Sequence, residues 1–186
     1  MGLLNCVIRS LSRTSQSNAQ ALPVPFIVGV PRSGTTLLRL MCDAHPDLSV
    51  PPEMGFMPAV ARLHSEARPA RSAFLRAVTG LPSWQDANID RAEFEAAVSA
   101  VEPFHVSEAI RTFYRTYARR FGKSRWGDKT PAYCLHMRDI ERILPEARFI
   151  HIIRDGRDVG LRFEAVGGDL LSELGYSPNV STRQVC

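Results

Sequence analysis

The stretch that decides the fold is residues 26–36, Phe-Ile-Val-Gly-Val-Pro-Arg-Ser-Gly-Thr-Thr. Its first five residues, Phe26–Val30, are apolar and mostly β-branched, which predicts a short buried strand. The Pro-Arg-Ser-Gly segment that follows predicts a turn. Apolar residues then recur at helical spacing as far as Ala44, and we expect the helix to end before Pro46. This order of strand, glycine-containing loop and helix is typical of α/β proteins.

The loop between the strand and the helix has the spacing of a phosphate-binding loop. Gly29 and Gly34 match the two glycines of the pattern Gly-x-x-x-x-Gly-Lys-Ser/Thr. Thr35 stands where that pattern has lysine, so a nucleoside triphosphatase would lack its contact to the terminal phosphates. Arg32 offers a replacement cation from inside the loop. Because backbone N–H groups at a helix N-terminus attract anions, the sequence predicts an anion site here.

A second predicted strand, residues 149–153, is followed directly by Arg154. Ligands of open α/β sheets bind at the carboxyl ends of the strands, and a bidentate arginine there suits a phosphate. We expect Arg154 to be such a ligand. The charged residues that follow predict a surface turn with weak ion pairs, namely Asp155, Arg157 and Asp158.

A third motif, Trp126–Pro131, contains one of only two lysines in a chain with 21 arginines. The compact ammonium of Lys129 suits a point contact to a single oxygen of a leaving group. The alternative interpretation is an exposed lysine in a turn, which is the usual environment of lysine.

Helices occupy most of the remaining predicted structure. Asp90 and Glu93 form a capping pair at the start of one helix. Residues 66–90 are rich in loop-forming residues. Helical periodicity predicts three more helices, at residues 107–121 with Ser107 as the cap, at residues 132–144, and from Val159 onward. Strands that alternate with helices predict an α/β fold with a central parallel sheet flanked by helices.

The segment Pro31–Leu38, followed by Asp43–Pro46, resembles the 5′-phosphosulfate loop of sulfotransferases that use 3′-phosphoadenylyl sulfate (PAPS). It is most similar to the tyrosylprotein sulfotransferase-like and bacterial branch. The resemblance implies a three-layer fold like that of P-loop NTPases. It also implies transfer of a sulfuryl group from PAPS, as co-substrate, to a hydroxyl or amine acceptor, without a metal.

The resemblance also implies roles for individual residues. Arg154 would hold the 3′-phosphate of the nucleotide together with Arg162, which stands where the family usually has a serine. Lys129, by match to a Lys-x-Pro element, would contact the bridging oxygen. The residues of the loop would hold the 5′-phosphosulfate, namely Arg32, Ser33, Gly34, Thr35 and Thr36.

Sulfuryl transfer needs a base that accepts the proton of the acceptor. Glu53 matches the position of a glutamate that serves as the base in the tyrosylprotein branch, and the rival interpretation is an acid at a helix N-terminus. An arginine that this branch uses for peptide acceptors corresponds here to Gly55, which weakens the case for a tyrosyl peptide. The acceptor class therefore stays open among peptides, carbohydrates and small molecules. The rival bases are His45, which we expect to end a helix, His151, which we expect in the core, and His64, His105 and His136.

The amino-acid composition excludes several classes of protein. The chain has 186 residues, 45% of them hydrophobic and 23% charged, which excludes a disordered chain, a collagen-like chain and a bundle of membrane spans. A net charge of +4 is too small to predict a nucleic-acid partner. The four cysteines lie far apart without metal-ligand spacing, which favours a reducing, cytoplasmic setting.

The predicted organisation is a flexible leader at residues 1–24, a PAPS-binding domain at residues 25–166 and a weakly patterned tail at residues 167–186. Because sulfotransferase domains continue well past this point, we expect the chain to correspond to the N-terminal part of one. Two alternatives stay open. One is a P-loop kinase or NTPase-like phosphate binder. The other is an inactive or truncated nucleotide-binding remnant.

Overall fold

The computed structural model describes residues 22–165, with side chains as far as residue 161. The predicted tail and almost all of the predicted leader lie outside the described residues. The elements, in chain order, are β1 (Val24–Gly29), α1 (Thr35–Asp43), β2 (Leu48–Ser49), α2 (Met57–His64), α3 (Arg71–Thr79), α4 (Trp84–Ala87), α5 (Arg91–Ser99), α6 (Val106–Arg119), β3 (Arg125–Trp126), β4 (Asp128–Lys129), a 3₁₀ helix (Pro131–Leu135), α7 (Met137–Ile143), β5 (Ala147–Ile152) and α8 (Gly156–Ala165).

A parallel sheet with the strand order β4-β1-β5 forms the centre of the described structure. β1 pairs with β5 along its whole length, from Val24 beside Ala147 to Gly29 beside Ile152. On its other side, β1 pairs with the two residues of β4. A second parallel pair joins β2 to β3. The predicted α/β fold with a central parallel sheet is confirmed.

Helices cover both faces of this sheet, because successive side chains of a strand point to opposite faces. Phe26 and Asp128 are neighbours on one face, where Asp128 contacts Tyr114 of α6. Ile27 and Lys129 are neighbours on the other face, where Lys129 contacts α1. The predicted three-layer arrangement therefore follows from the register of two short strands.

An aromatic core fills the space between the sheet and α6. Phe26 is fully buried and meets Tyr114 and Trp126 edge-on, each with ring centroids 6.5 Å apart. The rings of Tyr114 and Trp126 are stacked, 4.4 Å apart and nearly parallel. The aromatic stripe of α6 is thus core packing, as predicted, except that Phe121 lies beyond the helix and is 54% exposed.

Several predicted boundaries were wrong. The interval 66–90 contains α3 and α4 rather than only loops. α6 begins at Val106, so Ser107 lies inside the first turn and does not cap it. Residues 132–144 form a 3₁₀ helix followed by α7, not one helix. By contrast, the predicted cap is confirmed, because the Asp90 carboxylate accepts a hydrogen bond of 2.8 Å from the Glu93 N–H.

The second predicted strand is less buried than expected. β5 is an edge strand of the described sheet, and Ile150 is 41% exposed. His151 is exposed as well, so its prediction as a core histidine was wrong. The thiols of Cys42 and Cys134 are half-buried, and this burial raises the pKa of both. None of the helices described is both long and apolar enough to span a bilayer.

Replacing Phe26 tests the importance of the aromatic core. Phe26→Ala should lower the free energy of unfolding by about 3–5 kcal/mol, because the vacated volume is enclosed by rings that cannot collapse into it. Phe121→Ala is the matched control, and we expect it to cost less than about 1 kcal/mol because that ring is largely in water. Urea denaturation measures both changes. Equal losses in the two variants would contradict this packing.

Candidate active site

Three functional segments meet at the carboxyl edge of the sheet. The predicted phosphate-binding loop follows β1, Lys129 is the last residue of β4, and Arg154 lies two residues after β5. Because β1, β4 and β5 are parallel and neighbours, their carboxyl ends lie side by side. The structure thus brings together three motifs from separate parts of the chain, although the loop ends 95 residues before Lys129.

The loop itself, residues 29–34, has a backbone that few residues can adopt. Gly29 has φ of 153°, and a Cβ on it would lie 2.6 Å from the carbonyl oxygen of Ile152. This contact explains why glycine is needed where the strand becomes the loop. Arg32 adopts φ of 68°, a left-handed conformation that is uncommon for a residue with a side chain. The strained arginine therefore lies at the turn of the loop, with its side chain exposed.

The loop ends at an α-helix N-terminus that has no side-chain cap. Gly34 is the N-cap residue of α1 and has φ of 100°. The first N–H groups of a helix have no acceptor within it, and they carry the positive end of the helix dipole. Just before them, the Ser33 hydroxyl is buried and has no hydrogen-bond partner among the described residues. The loop thus presents hydrogen-bond donors without matching protein acceptors.

Lys129 forms the centre of the site. Its ammonium is only 5% exposed and forms an ion pair with Glu53. The same Nζ lies 3.5 Å from Oγ1 of Thr36, at the start of α1. Lys129 is therefore buried and paired, and the interpretation as an exposed lysine in a turn was wrong. Its position joins the predicted base to the predicted phosphate-binding loop.

Glu53 lies at the mouth of a cleft. Its side chain is 49% exposed, and it lines the cleft with Arg32 and Thr36. Pro31, Pro131 and Ala132 complete the lining. Glu53 lies in a loop four residues before α2 begins at Met57, so it is not an acid in the first turn of a helix. A carboxylate, a guanidinium and a hydroxyl therefore border one space.

Hydrogen bonds fix the loop that carries Glu53 at both of its ends. At one end, the Val50 N–H donates to the Asp43 carboxylate at 2.8 Å, and the Val50 carbonyl accepts from Arg39 at 2.9 Å. At the other end, the Met57 N–H donates to the Tyr133 hydroxyl oxygen at 3.1 Å. Because Asp43 and Arg39 belong to α1, the helix that opens at the phosphate-binding loop also places the loop of Glu53.

Arg154 lies near the start of α8 and is partly exposed. Its side chain is 32% exposed and contacts Asp158 at 3.4 Å. Asp155 accepts hydrogen bonds from the backbone and the side chain of Arg157. The predicted ion pairs are present, but the predicted surface turn was wrong, because Arg157 and Asp158 lie in the first turn of α8. Arg162 belongs to α8, but its side chain lies outside the described residues.

The structure separates Glu53 from the rival bases. None of the five histidines, all of which lie in the described part of the chain, lines the cleft of Glu53. The Nδ1 atom of His45 is also occupied, because it accepts a hydrogen bond of 3.1 Å from the Asp47 N–H. Among the candidate bases, Glu53 is therefore the one that lines this cleft.

The sequence analysis assigned no role to Asp128, which precedes Lys129. Asp128 is fully buried, and its Oδ2 accepts a hydrogen bond of 2.8 Å from the Tyr114 hydroxyl. Burial raises the pKa of Asp128 to about 7, against the lowering effects of the hydroxyl groups of Tyr114 and Thr130. An acid beside the site lysine was the available signal, but its burial was not evident from the sequence.

Comparisons with known proteins agree with this geometry. A sequence profile described as the sulfotransferase family matches residues 23–173. The chain belongs to the sulfotransferase family. The matched residues contain the phosphate-binding loop, Glu53, Lys129 and Arg154, so the family covers all the segments that meet at the sheet edge.

Individual members of the family are similar to this chain over most of its length. The protein-tyrosine sulfotransferase of Drosophila melanogaster is 33% identical over 136 residues, which is 73% of this chain and 24% of that protein. Protein-tyrosine sulfotransferase 1 of Homo sapiens is 28% identical over 138 residues, which is 73% of this chain and 32% of that protein. The chain thus spans about a quarter to a third of the length of these relatives.

Among solved structures, the chain is similar to the sulfotransferase domain from the olefin synthase of Synechococcus PCC 7002. The sequences are 26% identical, the TM-score is 0.50, and the match covers 82% of this chain and 57% of that domain. The predicted sulfotransferase fold is therefore confirmed.

The raised pKa of Asp128 predicts how the free energy of unfolding depends on pH. The pKa of Asp128 is about 7 in the folded chain, against an ordinary value of 3.8 for an aspartate in the unfolded chain. As pH rises, the unfolded chain therefore releases this proton before the folded chain does. The contribution of the protonated acid to stability is therefore complete below about pH 4 and is lost as pH rises through about 7. Asp128→Asn, which does not titrate, should remove this dependence.

Urea denaturation of the wild type and of Asp128→Asn at about pH 5 and about pH 8 measures the effect. We expect the stability of the wild type relative to the variant to fall between the two pH values. The difference isolates Asp128, because every other titrating group is shared. A difference that stays constant with pH would show that Asp128 does not titrate in this range.

Proposed function

We propose that this protein transfers a sulfuryl group from PAPS to a hydroxyl or amine acceptor. The observation that carries the proposal is the junction of Lys129 with Glu53 and Thr36 at the carboxyl edge of the sheet. One cation there contacts both a carboxylate suited to be a base and the helix N-terminus suited to bind an anion. Membership of the sulfotransferase family supports the same reaction.

The residues of the loop fit the 5′-phosphosulfate of PAPS. Helix α1 supplies uncapped N–H groups, and the buried Ser33 hydroxyl needs an acceptor. The oxygens of a phosphosulfate are negatively charged hydrogen-bond acceptors, which suit these donors. The cleft beside the loop holds about 240 Å³, less than the roughly 300–1,000 Å³ of a typical whole-ligand pocket. It therefore suits the reacting end of the molecule, while Arg154 is available for the 3′-phosphate.

Each residue has a defined part in the proposed reaction. Glu53 accepts the proton of the acceptor hydroxyl or amine as that atom forms its bond to sulfur. The bond that breaks joins sulfur to the bridging oxygen, and its electron pair stays on the phosphate. Lys129 stabilises the charge that grows on this oxygen, and Arg32 stabilises the charge on the transferring group. Arg32 lines the cleft and Lys129 contacts two of its lining residues, Glu53 and Thr36, which supports this part for both cations.

The ion pair between Lys129 and Glu53 has a consequence for this reaction. While Glu53 is paired with the ammonium, one of its carboxylate oxygens is occupied. A bridging oxygen near Lys129 competes for the same ammonium. We therefore expect the Glu53 carboxylate to leave the ion pair and become available to the acceptor once the sulfuryl donor is bound, which links proton transfer to occupancy of the loop.

For the acceptor and for the cellular setting, we propose only a general class. The names of the relatives, protein-tyrosine sulfotransferases, support testing tyrosyl peptides beside carbohydrates and small metabolites. The half-exposed carboxylate of Glu53 is open to each of these classes from the solvent side of the cleft. The wide spacing of the four cysteines supports a reducing, cytoplasmic setting.

Calorimetry with 3′-phosphoadenosine 5′-phosphate (PAP), the product that remains after transfer, tests the nucleotide site. We expect PAP to bind, and ATP with Mg²⁺ to bind more weakly, because the loop has threonine at position 35 instead of lysine. Tighter binding of ATP with Mg²⁺ would favour a kinase or NTPase-like protein. Binding of PAP without any sulfuryl transfer would favour an inactive nucleotide-binding remnant.

Replacing Arg154 tests the anchor for the 3′-phosphate. Arg154→Ala should weaken PAP binding about 10- to 100-fold, since a hydrogen-bonded charge contributes about 1.5–3 kcal/mol. Arg138→Ala, which removes an exposed arginine from α7, is the control and should leave PAP affinity unchanged. Adenosine 5′-phosphate, which lacks the 3′-phosphate, should bind both variants equally. Equal losses of PAP affinity in the two variants would contradict the assignment.

Replacing Glu53 tests the assignment of the base. Glu53→Gln should lower the rate of transfer about 100- to 10,000-fold and leave PAP affinity close to that of the wild type, because the amide cannot accept the proton. Glu141→Gln, an exposed site on α7, is the matched control and should retain the full rate. A full rate in Glu53→Gln would show that another group removes the proton.

A further inference from the structure

We propose that Asp128 and Tyr114 are positioning residues for Lys129, and that the hydrogen bond between them holds the lysine at the phosphate-binding loop. The inference rests on the proposed function, in which Lys129 contacts the bridging oxygen. It adds two residues on the opposite face of the sheet, which touch neither Glu53 nor the loop.

The strand that carries Lys129 needs support from outside the sheet. β4 has only two residues, Asp128 and Lys129, and β1 is the strand that pairs with it. So short a strand has few ladder hydrogen bonds to fix it. The Tyr114 hydroxyl donates a hydrogen bond of 2.8 Å to Asp128 and thereby ties β4 to α6. This bond joins β4 to the helix on the aromatic side of the sheet.

Tyr114 is a rigid anchor for this bond. The residue is fully buried, and its ring is stacked on Trp126 at 4.4 Å. It also meets Phe113 at 5.1 Å and Phe26 at 6.5 Å. A ring packed on several sides cannot follow a strand that moves, so the hydroxyl defines where the Asp128 carboxylate lies.

The bond acts on Lys129 through the backbone. Asp128 and Lys129 are adjacent residues of one strand, so their side chains point to opposite faces. A small rotation or shift of β4 on the Tyr114 side therefore moves Nζ on the other side, away from Thr36 and Glu53. A misplacement of about 1 Å at a reacting centre costs about 100-fold in rate. Loss of the hydrogen bond should thus reduce kcat without removing any group from the site.

The Asp128 carboxyl interacts with ionisable groups from four neighbouring elements. These groups are Tyr114 of α6, Tyr133 of the 3₁₀ helix, Lys129 of β4 and Glu53 of the loop before α2. Asp128→Leu keeps a similar volume and removes both acceptor oxygens, whereas Tyr114→Phe removes the hydroxyl and keeps the ring. The two variants therefore break the same hydrogen bond from opposite ends.

Nuclear magnetic resonance of isotope-labelled lysine tests the inference directly. The chain has two lysines, Lys123 and Lys129, so the spectrum contains two side-chain signals. The variant Lys129→Met assigns them. We expect Tyr114→Phe to move the Lys129 signal and to leave the Lys123 signal unchanged. Tyr117→Phe, which removes a hydroxyl from the same helix three residues later, is the control and should leave the Lys129 signal in place.

Kinetics of the same variants separate positioning from folding. We expect Tyr114→Phe to lower kcat about 10- to 100-fold with KM for PAPS and PAP affinity nearly unchanged, because the nucleotide site is intact. Combining Tyr114→Phe with Asp128→Leu should add little to either single change, because both remove the same hydrogen bond. Losses that multiply would overturn the shared role.

The two kinds of measurement distinguish failure of this inference from failure of the proposed function. An unchanged Lys129 signal in Tyr114→Phe overturns the inference, whatever the activity. If the wild type transfers no sulfuryl group, the proposed function is contradicted. A Lys129 signal that still moves in Tyr114→Phe would then support the positioning of Lys129. Loss of both lysine signals from their folded positions in Tyr114→Phe shows general unfolding, and Asp128→Leu, which leaves the Tyr114 ring in place, then decides: a moved Lys129 signal supports the inference and an unchanged one overturns it.

Discussion

The parallel pairing of β1 with β4 and β5 is the constraint on which the rest of the structure depends. It brings the phosphate-binding loop, Lys129 and Arg154 to one edge of a sheet, although each comes from a different part of the chain. Gly29 makes the pairing possible at that edge, because a side chain there would collide with the backbone of β5. The same register sends Asp128 and Lys129 to opposite faces, one toward the aromatic core and one toward the site.

Much of this arrangement could be predicted from the sequence, because it depends on residues that are close together in the chain. The loop after β1 and the arginine after β5 are encoded in short contiguous motifs, and the sheet follows from alternation of strands and helices. Glu53 was predicted from family resemblance, and the structure places it beside Lys129. The burial of Lys129 was not predictable, because it arises when β4 pairs with β1 and α1 closes over the same face.

The errors have a common physical origin in tertiary packing. His151 has the sequence pattern of a core residue, yet it is exposed because β5 is an edge strand of the described sheet. Asp128, for which no role was predicted, is fully buried because Tyr114 reaches it from α6, fourteen residues earlier in the chain. In both cases the neighbour that decides exposure comes from elsewhere in the chain, which local periodicity does not encode.

The central claim is that the cleft beside the loop moves a sulfuryl group, and the transfer of radiolabelled sulfur from PAPS measures this most directly. The wild-type chain would be incubated with labelled PAPS and, separately, with a tyrosyl peptide, a carbohydrate and a small phenol. The account predicts that label moves to one of these classes of acceptor, with stoichiometric appearance of PAP. Label that stays on the nucleotide or is released only as free sulfate with every acceptor, from protein that binds PAP, would contradict it.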